Sequence, residues 1–138
     1  MIKVIMLGRR SPSLSRDEFH AYWREHHGPR VIAATDFMRH VRKYTRNYLF
    51  EDQDFPTDGR WDAMVEFWFD SVEDAKAAFA GPGYTDSIRP DEYTFGDLTV
   101  APFILLATED VYEPGGRSQE PDGDMPGPGD DVSRGTRC

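Results

Sequence analysis

A chain of 138 residues has room for one hydrophobic core of ordinary size. Its 25 acidic against 16 basic side chains give a formal charge of −9, the wrong sign for a protein whose main partner is nucleic acid, because phosphate binding needs a basic footprint. No apolar run approaches the roughly twenty residues that span a bilayer, and the only cysteine is Cys138, so no internal disulfide can form and a reducing cytoplasm is the expected setting.

Ile2 to Arg10 reads as the first strand, with Ile2, Val4 and Met6 on one parity and Ile5 and Leu7 on the other, a pattern of burial on both faces. It lacks the longer apolar core and small-residue cleavage site of a signal peptide. Ser11-Pro12-Ser13 ends it. Ser15 and Glu18 then have capping-box spacing, with Leu14 and Phe19 placed as a hydrophobic staple, so a helix is predicted to start at Ser15. Phe19, Tyr22, Trp23 and His26 come next at i, i+3, i+4 and i+7, one face of a regular α-helix. Gly28 is placed as a left-handed cap and Pro29 as the stop, with a shorter helical piece resuming to about Phe37.

His40 to Phe50 reads as a strand that is polar on both faces: His40, Arg42, Tyr44, Arg46 and Tyr48 share one parity, Val41, Lys43, Thr45, Asn47 and Leu49 the other. A turn-rich loop leads to the clearest strand, Trp61 to Phe69, with Ala63, Val65, Phe67 and Phe69 on one face and Met64, Glu66 and Trp68 on the other. Ser71 caps a second helix that ends at Gly81-Pro82. Pro90 opens a helical turn towards Phe95, and the last strand runs from about Pro102 to Tyr112. From Pro114 to Cys138 glycine and proline fill 10 of 25 positions, so residues 1–113 are expected to form the domain and 114–138 an acidic, disordered tail.

The order is βαββαβ, which implies an α+β, ferredoxin-like domain: a four-stranded antiparallel sheet with both helices on one face. Apart from His40 to Phe50, the strands carry apolar residues on both faces, yet only one face is covered by helices. A second sheet is the simplest cover, and a two-fold homodimer is expected.

The run Phe19-x-x-Tyr22-Trp23-x-x-His26-His27-Gly28-Pro29 resembles the signature of the EthD family. Tyr44-x-x-Asn47 is similar to that family's second-strand motif, and Asp91-Glu92-x-x-Phe95-x-Asp97, with Glu109 later, to its C-terminal pattern. The likeness covers residues 1 to about 113. It implies a dimeric α/β barrel with a pocket between sheet and helices. Related barrels include aromatic polyketide cyclases, dehydratases, decarboxylases, cofactor-free monooxygenases, isomerases and haem-degrading enzymes. The positions that match the family's motifs are Tyr22, Trp23, His26, Tyr44 and Asn47.

Among residues able to carry chemistry, His26 is expected to point at the sheet from the last turn of its helix. There the helix dipole favours the charged ring and burial the neutral one, which suits a proton shuttle; the structural alternative is a histidine that locks the turn. Glu66, in the middle of an apolar strand, is either half of an interfacial ion pair with Arg42, Arg46 or Lys43, or a carboxylate base opposite His26. Tyr44 and Tyr22 could donate to a developing enolate; Asn47 cannot share Tyr44's sheet face in a regular strand. Trp23, Trp68 and His40 are candidate pocket walls, and Arg42 and Arg46 candidates to hold an acidic group on the substrate. His20 and His27 lie on a wetter face in a regular helix, too far apart to share a metal ion, so no metal site and no cofactor are expected. The expected function is a cofactor-free enzyme for acid/base cyclisation, dehydration or isomerisation of an aromatic or polyketide-like small molecule in natural-product biosynthesis. The alternatives are a cofactor-free monooxygenase on an electron-rich aromatic and a non-catalytic ligand-binding or accessory protein.

Overall fold

A computed structural model describes residues 1–97, 99–100 and 103–115. The chain runs β1 (Ile2–Gly8), α1 (Arg16–Tyr22), a wide π-helical turn (Trp23–His27), α2 (Gly28–Ala33), α3 (Thr35–Met38), β2 (Val41–Tyr48) and β3 (Ala63–Phe69). It continues through α4 (Val72–Ala80), a second wide turn (Gly83–Ile88), α5 (Arg89–Phe95) and β4 (Phe103–Ala107). It divides into two units, Met1–Ala107 and Thr108–Cys138, and every element named here lies in the first. Most of the expected tail, and Pro102 at the expected start of the last strand, lie outside the described residues.

The strand order is β2-β3-β1-β4, antiparallel throughout, which is the ferredoxin-like arrangement the βαββαβ order predicts. Register fixes the faces. Val4 pairs with Phe67, Met6 with Val65 and Tyr44 with Phe67, so these side chains share the face on which the helices pack. There Val4, Val31, Phe37, Phe67, Phe69, Ala75, Ala78, Tyr84 and Ile88 form one buried cluster, and Phe19, Trp23, Ala63 and Phe95 a second. Phe37 is fully buried and meets Phe67 and Phe79 edge-on at 5.2 Å each, a geometry worth about 0.5–1.5 kcal/mol per pair beyond burial.

The start of α1 is built as predicted: Ser15 Oγ accepts from the Glu18 N–H at 3.1 Å and the Glu18 carboxylate accepts from the Ser15 N–H at 2.9 Å. Buried Asp62 fastens this corner, accepting from the Arg10 N–H at 2.8 Å and from Arg16 Nε at 2.9 Å.

On the opposite sheet face Glu66 lies amid a polar cluster. It accepts from Lys3 Nζ at 2.8 Å, Thr45 Oγ1 at 2.9 Å and Asn47 Nδ2 at 3.2 Å. Lys3 and Lys43 lie over the Trp68 ring, 5.1 and 4.7 Å from its centre. At the sheet edge Phe103, Ile104, Leu105 and Leu106 of β4 are all exposed.

Candidate active site

Two wide turns shape the helical layer around a cavity. In the first, the Gly28 N–H reaches past the usual partner to the Trp23 carbonyl, which accommodates one extra residue in the turn. That insertion rotates everything after it. The side chains that face the sheet become Phe19, Trp23 and His27, four apart, whereas regular α-periodicity places His26 there. His27 is buried and His26 exposed, the reverse of the expectation. Gly28 differs as well. Its backbone is right-handed helical and the helix runs on through Pro29, so it is no left-handed cap.

His27 Nδ1 lies 2.8 Å from Oδ2 of Asp91, a buried residue of α5. The other carboxylate oxygen accepts from the Tyr22 hydroxyl at 2.6 Å, and Arg30 Nε lies 3.7 Å from Oδ2. Burial pushes the imidazole pKa down, against the upward pull of Asp91. Burial also opposes ionisation of Asp91, but the bonds from Tyr22 and His27 hold its pKa below the usual carboxylate value. The resting pair is therefore a neutral ring donating Nδ1–H to an ionised carboxylate. That fixes the tautomer and leaves the Nε2 lone pair open to accept a proton.

The second wide turn, closed by the Arg89 N–H on the Tyr84 carbonyl, presents α5 to the same space. Ile88, Glu92 and Phe95 line it from this side, with Tyr84 preceding them. The Tyr84 hydroxyl donates to Glu92 Oε1 at 3.1 Å. Burial pushes the Glu92 carboxyl up to about 7, with Asp91 adding to the rise and Tyr84 and Arg89 opposing it. Tyr44 enters from β2 with its ring stacked on Phe67 at 4.7 Å. Burial raises its pKa to about 12, so it remains a phenol and a donor at neutral pH. The cavity these groups share is ≈ 460 Å³, floored by Met6, Ala63, Val65 and Phe67 of the sheet. That is within the roughly 300–1,000 Å³ of small-molecule sites.

The EthD-domain family profile matches residues 11–99, from the capping corner through α5. The chain belongs to the EthD family. Its fold is similar to that of an EthD-like protein of Ralstonia eutropha JMP134, at 25% identity and a TM-score of 0.57 over 77% of this chain and 88% of that one. A dimeric protein of unknown function with a ferredoxin-like fold from Bacteroides fragilis superposes with a TM-score of 0.57 at 12% identity, covering 77% and 93%. The hydroxynitrile lyase of Passiflora edulis does so with a TM-score of 0.54 at 13% identity, covering 82% and 96%. No curated protein sequence matches.

Within this EthD domain the residues expected from the sequence fall in four places. Trp23 and Tyr44 line the main cavity. Tyr22 and His26 line a second, more polar cleft of ≈ 430 Å³ with Glu25, Arg30 and Ser87, on the far side of the Asp91 carboxylate. Glu66, Asn47 and Trp68 are on the opposite sheet face, so Glu66 cannot oppose a histidine across the helical-side cavity, and its ion-pair partner is Lys3 rather than Arg42, Arg46 or Lys43. The separation of Tyr44 from Asn47 follows strand parity as expected. Arg42 is exposed and pairs with Asp70 at 2.8 Å, and His40 is beside Arg39 at the same end of the domain. Arg46 runs beneath Gly28, where its Nη1 is buried without a partner among the described residues.

The polar cavity residues His27, Tyr84, Arg89 and Glu92, together with Arg9 and Asp97, are not among the sequence-predicted site residues. A signal for Glu92 is present in the sequence, since Ile88, Asp91, Glu92 and Phe95 fall at i, i+3, i+4 and i+7, which sets two carboxylates on a buried helix face. Among the described residues, no group of three or more His, Cys, Asp or Glu could hold a metal ion, and no helix is long and apolar enough to cross a membrane.

Proposed function

We propose that this protein is a cofactor-free acid/base enzyme of small-molecule metabolism. It acts on an enolisable aromatic or polyketide-like substrate by cyclisation, dehydration or isomerisation. The observation that carries this reading is one apolar cavity holding a neutral, Asp91-oriented His27 together with Glu92, whose pKa is about 7. A base ready to accept and an acid poised to donate near neutral pH are what proton transfer at carbon needs. In this reading His27 Nε2 takes the proton from the substrate carbon, and Asp91 steadies the imidazolium. The Tyr44 hydroxyl donates to the enolate oxygen, and Glu92 returns a proton where the product requires it. His27 thus takes the role the sequence assigns to His26. The fold supports the reading only so far as it accommodates enzymes, the Passiflora lyase among them.

The same reading has two copies pair through the sheet face that bears Trp68 and Glu66. Support comes from the half-buried apolar side chains there, uncovered by any helix, and from the dimeric Bacteroides protein of like fold.

The test is proton exchange. 2-Tetralone, a bicyclic aromatic ketone, is incubated with the full chain in D2O and its α-protons are followed by NMR. Exchange faster than in buffer is expected, falling by about 10²–10⁴-fold in His27→Ala and holding in His26→Ala. Exchange that survives His27→Ala, or never exceeds buffer, overturns the mechanism. Oxygen uptake during turnover would move the assignment to a monooxygenase, and a ligand held tightly and returned unchanged to a binding protein.

A further inference from the structure

The charged and polar groups that line the cavity are sorted by depth. His27 and Tyr84 are buried and Tyr44 and Glu92 half-buried, so every group with a part in proton transfer is on the inner side. The two cations, Arg9 at the end of β1 and Arg89 at the start of α5, are both exposed and therefore mark the outer end. The Arg9 side chain makes no hydrogen bond or ion pair with any other described residue; its charge acts on Asp97 at longer range. Arg89 is only partly committed. Its Nε donates to the Tyr93 hydroxyl at 2.8 Å, its guanidinium is centred 5.5 Å from the Tyr93 ring, which orients the plane, and its charge also bears on the Tyr84 hydroxyl and on Glu92. Asp97, the remaining carboxylate of the lining, already accepts from the Thr99 N–H at 2.9 Å and the Thr99 hydroxyl at 2.6 Å.

An apolar cavity with proton-transfer groups within and two exposed arginines in its lining selects a molecule with matching polarity. We infer that the substrate is an aromatic carboxylate, its carboxylate docked between Arg9 and Arg89 at the mouth and its reacting carbon inside against His27. This rests on the acid/base reading of the same cavity and specifies its substrate class. The arginines suggested by the sequence for this task, Arg42 and Arg46, do not line the cavity. A planar fork fits a carboxylate edge-on, and an arginine oriented by a tyrosine loses little freedom on binding one. An anion at the mouth also fixes which end of a flat ligand enters first.

The probe pair is 2-naphthoate and its methyl ester, equal in ring system and differing in charge, titrated into the full chain by calorimetry at neutral pH. The acid is expected to bind about tenfold more tightly, the size of one charge-assisted hydrogen bond in a partly exposed site. That preference should shrink with added salt. Arg9→Met and Arg89→Met should each reduce it towards unity while ester affinity holds, Arg89→Lys should retain part of it, and Arg42→Met should leave it intact. Both arginines are exposed, so folding is expected to survive and is checked by circular dichroism. Equal binding of acid and ester, a preference that persists in both methionine variants, or no binding of either probe overturns the assignment. The two readings fail separately. Acid preference is a binding property that His27→Ala should keep, whereas proton exchange of 2-tetralone needs His27 and no carboxylate.

Discussion

A Cβ added at Gly28 would run into the Arg46 guanidinium, and it would also lie 3.0 Å from the Trp23 carbonyl oxygen. The position needs glycine for space, since its backbone is ordinary helix. Gly28→Ala should therefore destabilise the fold by roughly 1–3 kcal/mol through overpacking. Gly28→Ala with Arg46→Ala should recover most of that loss, because the obstructing side chain is gone. Urea midpoints of the two variants decide the matter; equal midpoints would show that Arg46 is not what Gly28 accommodates. Glu92 makes a second residue-level prediction. Its carboxyl titrates near 4.5 in the unfolded chain and about 7 in the folded one, so the folded state holds the extra proton between those values. Its contribution is fully favourable below pH 4.5 and is lost as pH rises through 7, a swing of roughly 3 kcal/mol. Glu92→Gln, which keeps an acceptor for the Tyr84 hydroxyl, should flatten the stability profile across that window and raise stability at pH 8. A profile unchanged by the substitution would show that the carboxyl is not held neutral.

At the scale of elements, the strands, the capping box and the helix after Ser71 were legible because each rests on local chemistry: alternation, a side chain that satisfies an orphan N–H, a proline or glycine at an end. The wide turns were not. A π-turn differs from an α-turn by one residue of register, and the run Trp23-Arg24-Glu25-His26-His27 contains nothing that distinguishes them. The slip in register builds up after Trp23, within the turn, which is why Phe19 and Trp23 face the sheet as expected and His26 is exchanged for His27. Glu66 was legible as half of an ion pair by the cost of a lone charge in a strand. Its partner was not, because a central strand has two neighbours and Lys3 belongs to β1 rather than β2. Deleting exposed Glu25 removes one residue from the wide turn while preserving the Trp23-to-Gly28 hydrogen bond as an ordinary α-turn. Because the deletion makes His27 the seventh residue after Phe19, on the sheet-facing stripe of a regular helix, we expect it to raise stability by about 0.5–2 kcal/mol and to keep exchange of 2-tetralone. Loss of stability on deletion would show instead that the turn is the relaxed state of this sequence.

At the scale of the whole molecule, the proposed pairing places the Lys3–Glu66 ion pair and the Trp68 ring between two sheets. Removing Glu66 then takes from Lys3 the carboxylate it pairs with, and from Thr45 and Asn47 the acceptor they share. Glu66→Ala should shift sedimentation towards the monomer while leaving the His27–Asp91 pair, on the other face, and its proton exchange intact at concentrations where dimer persists. Retention of full dimer by the variant would place the interface elsewhere.

The exposed edge strand carries a practical consequence. β4 offers Phe103, Ile104, Leu105 and Leu106 to solvent on both of its faces, beside a row of backbone groups that could template another chain. Most proteins precipitate when concentrated. Under the proposed pairing the hazard lies at the opposite extreme, in dilute samples, where separated copies would cling to vessel walls and to each other out of register. Carrier protein or a high working concentration should protect it, and recovery after serial dilution is the simplest way to see whether the twin is there.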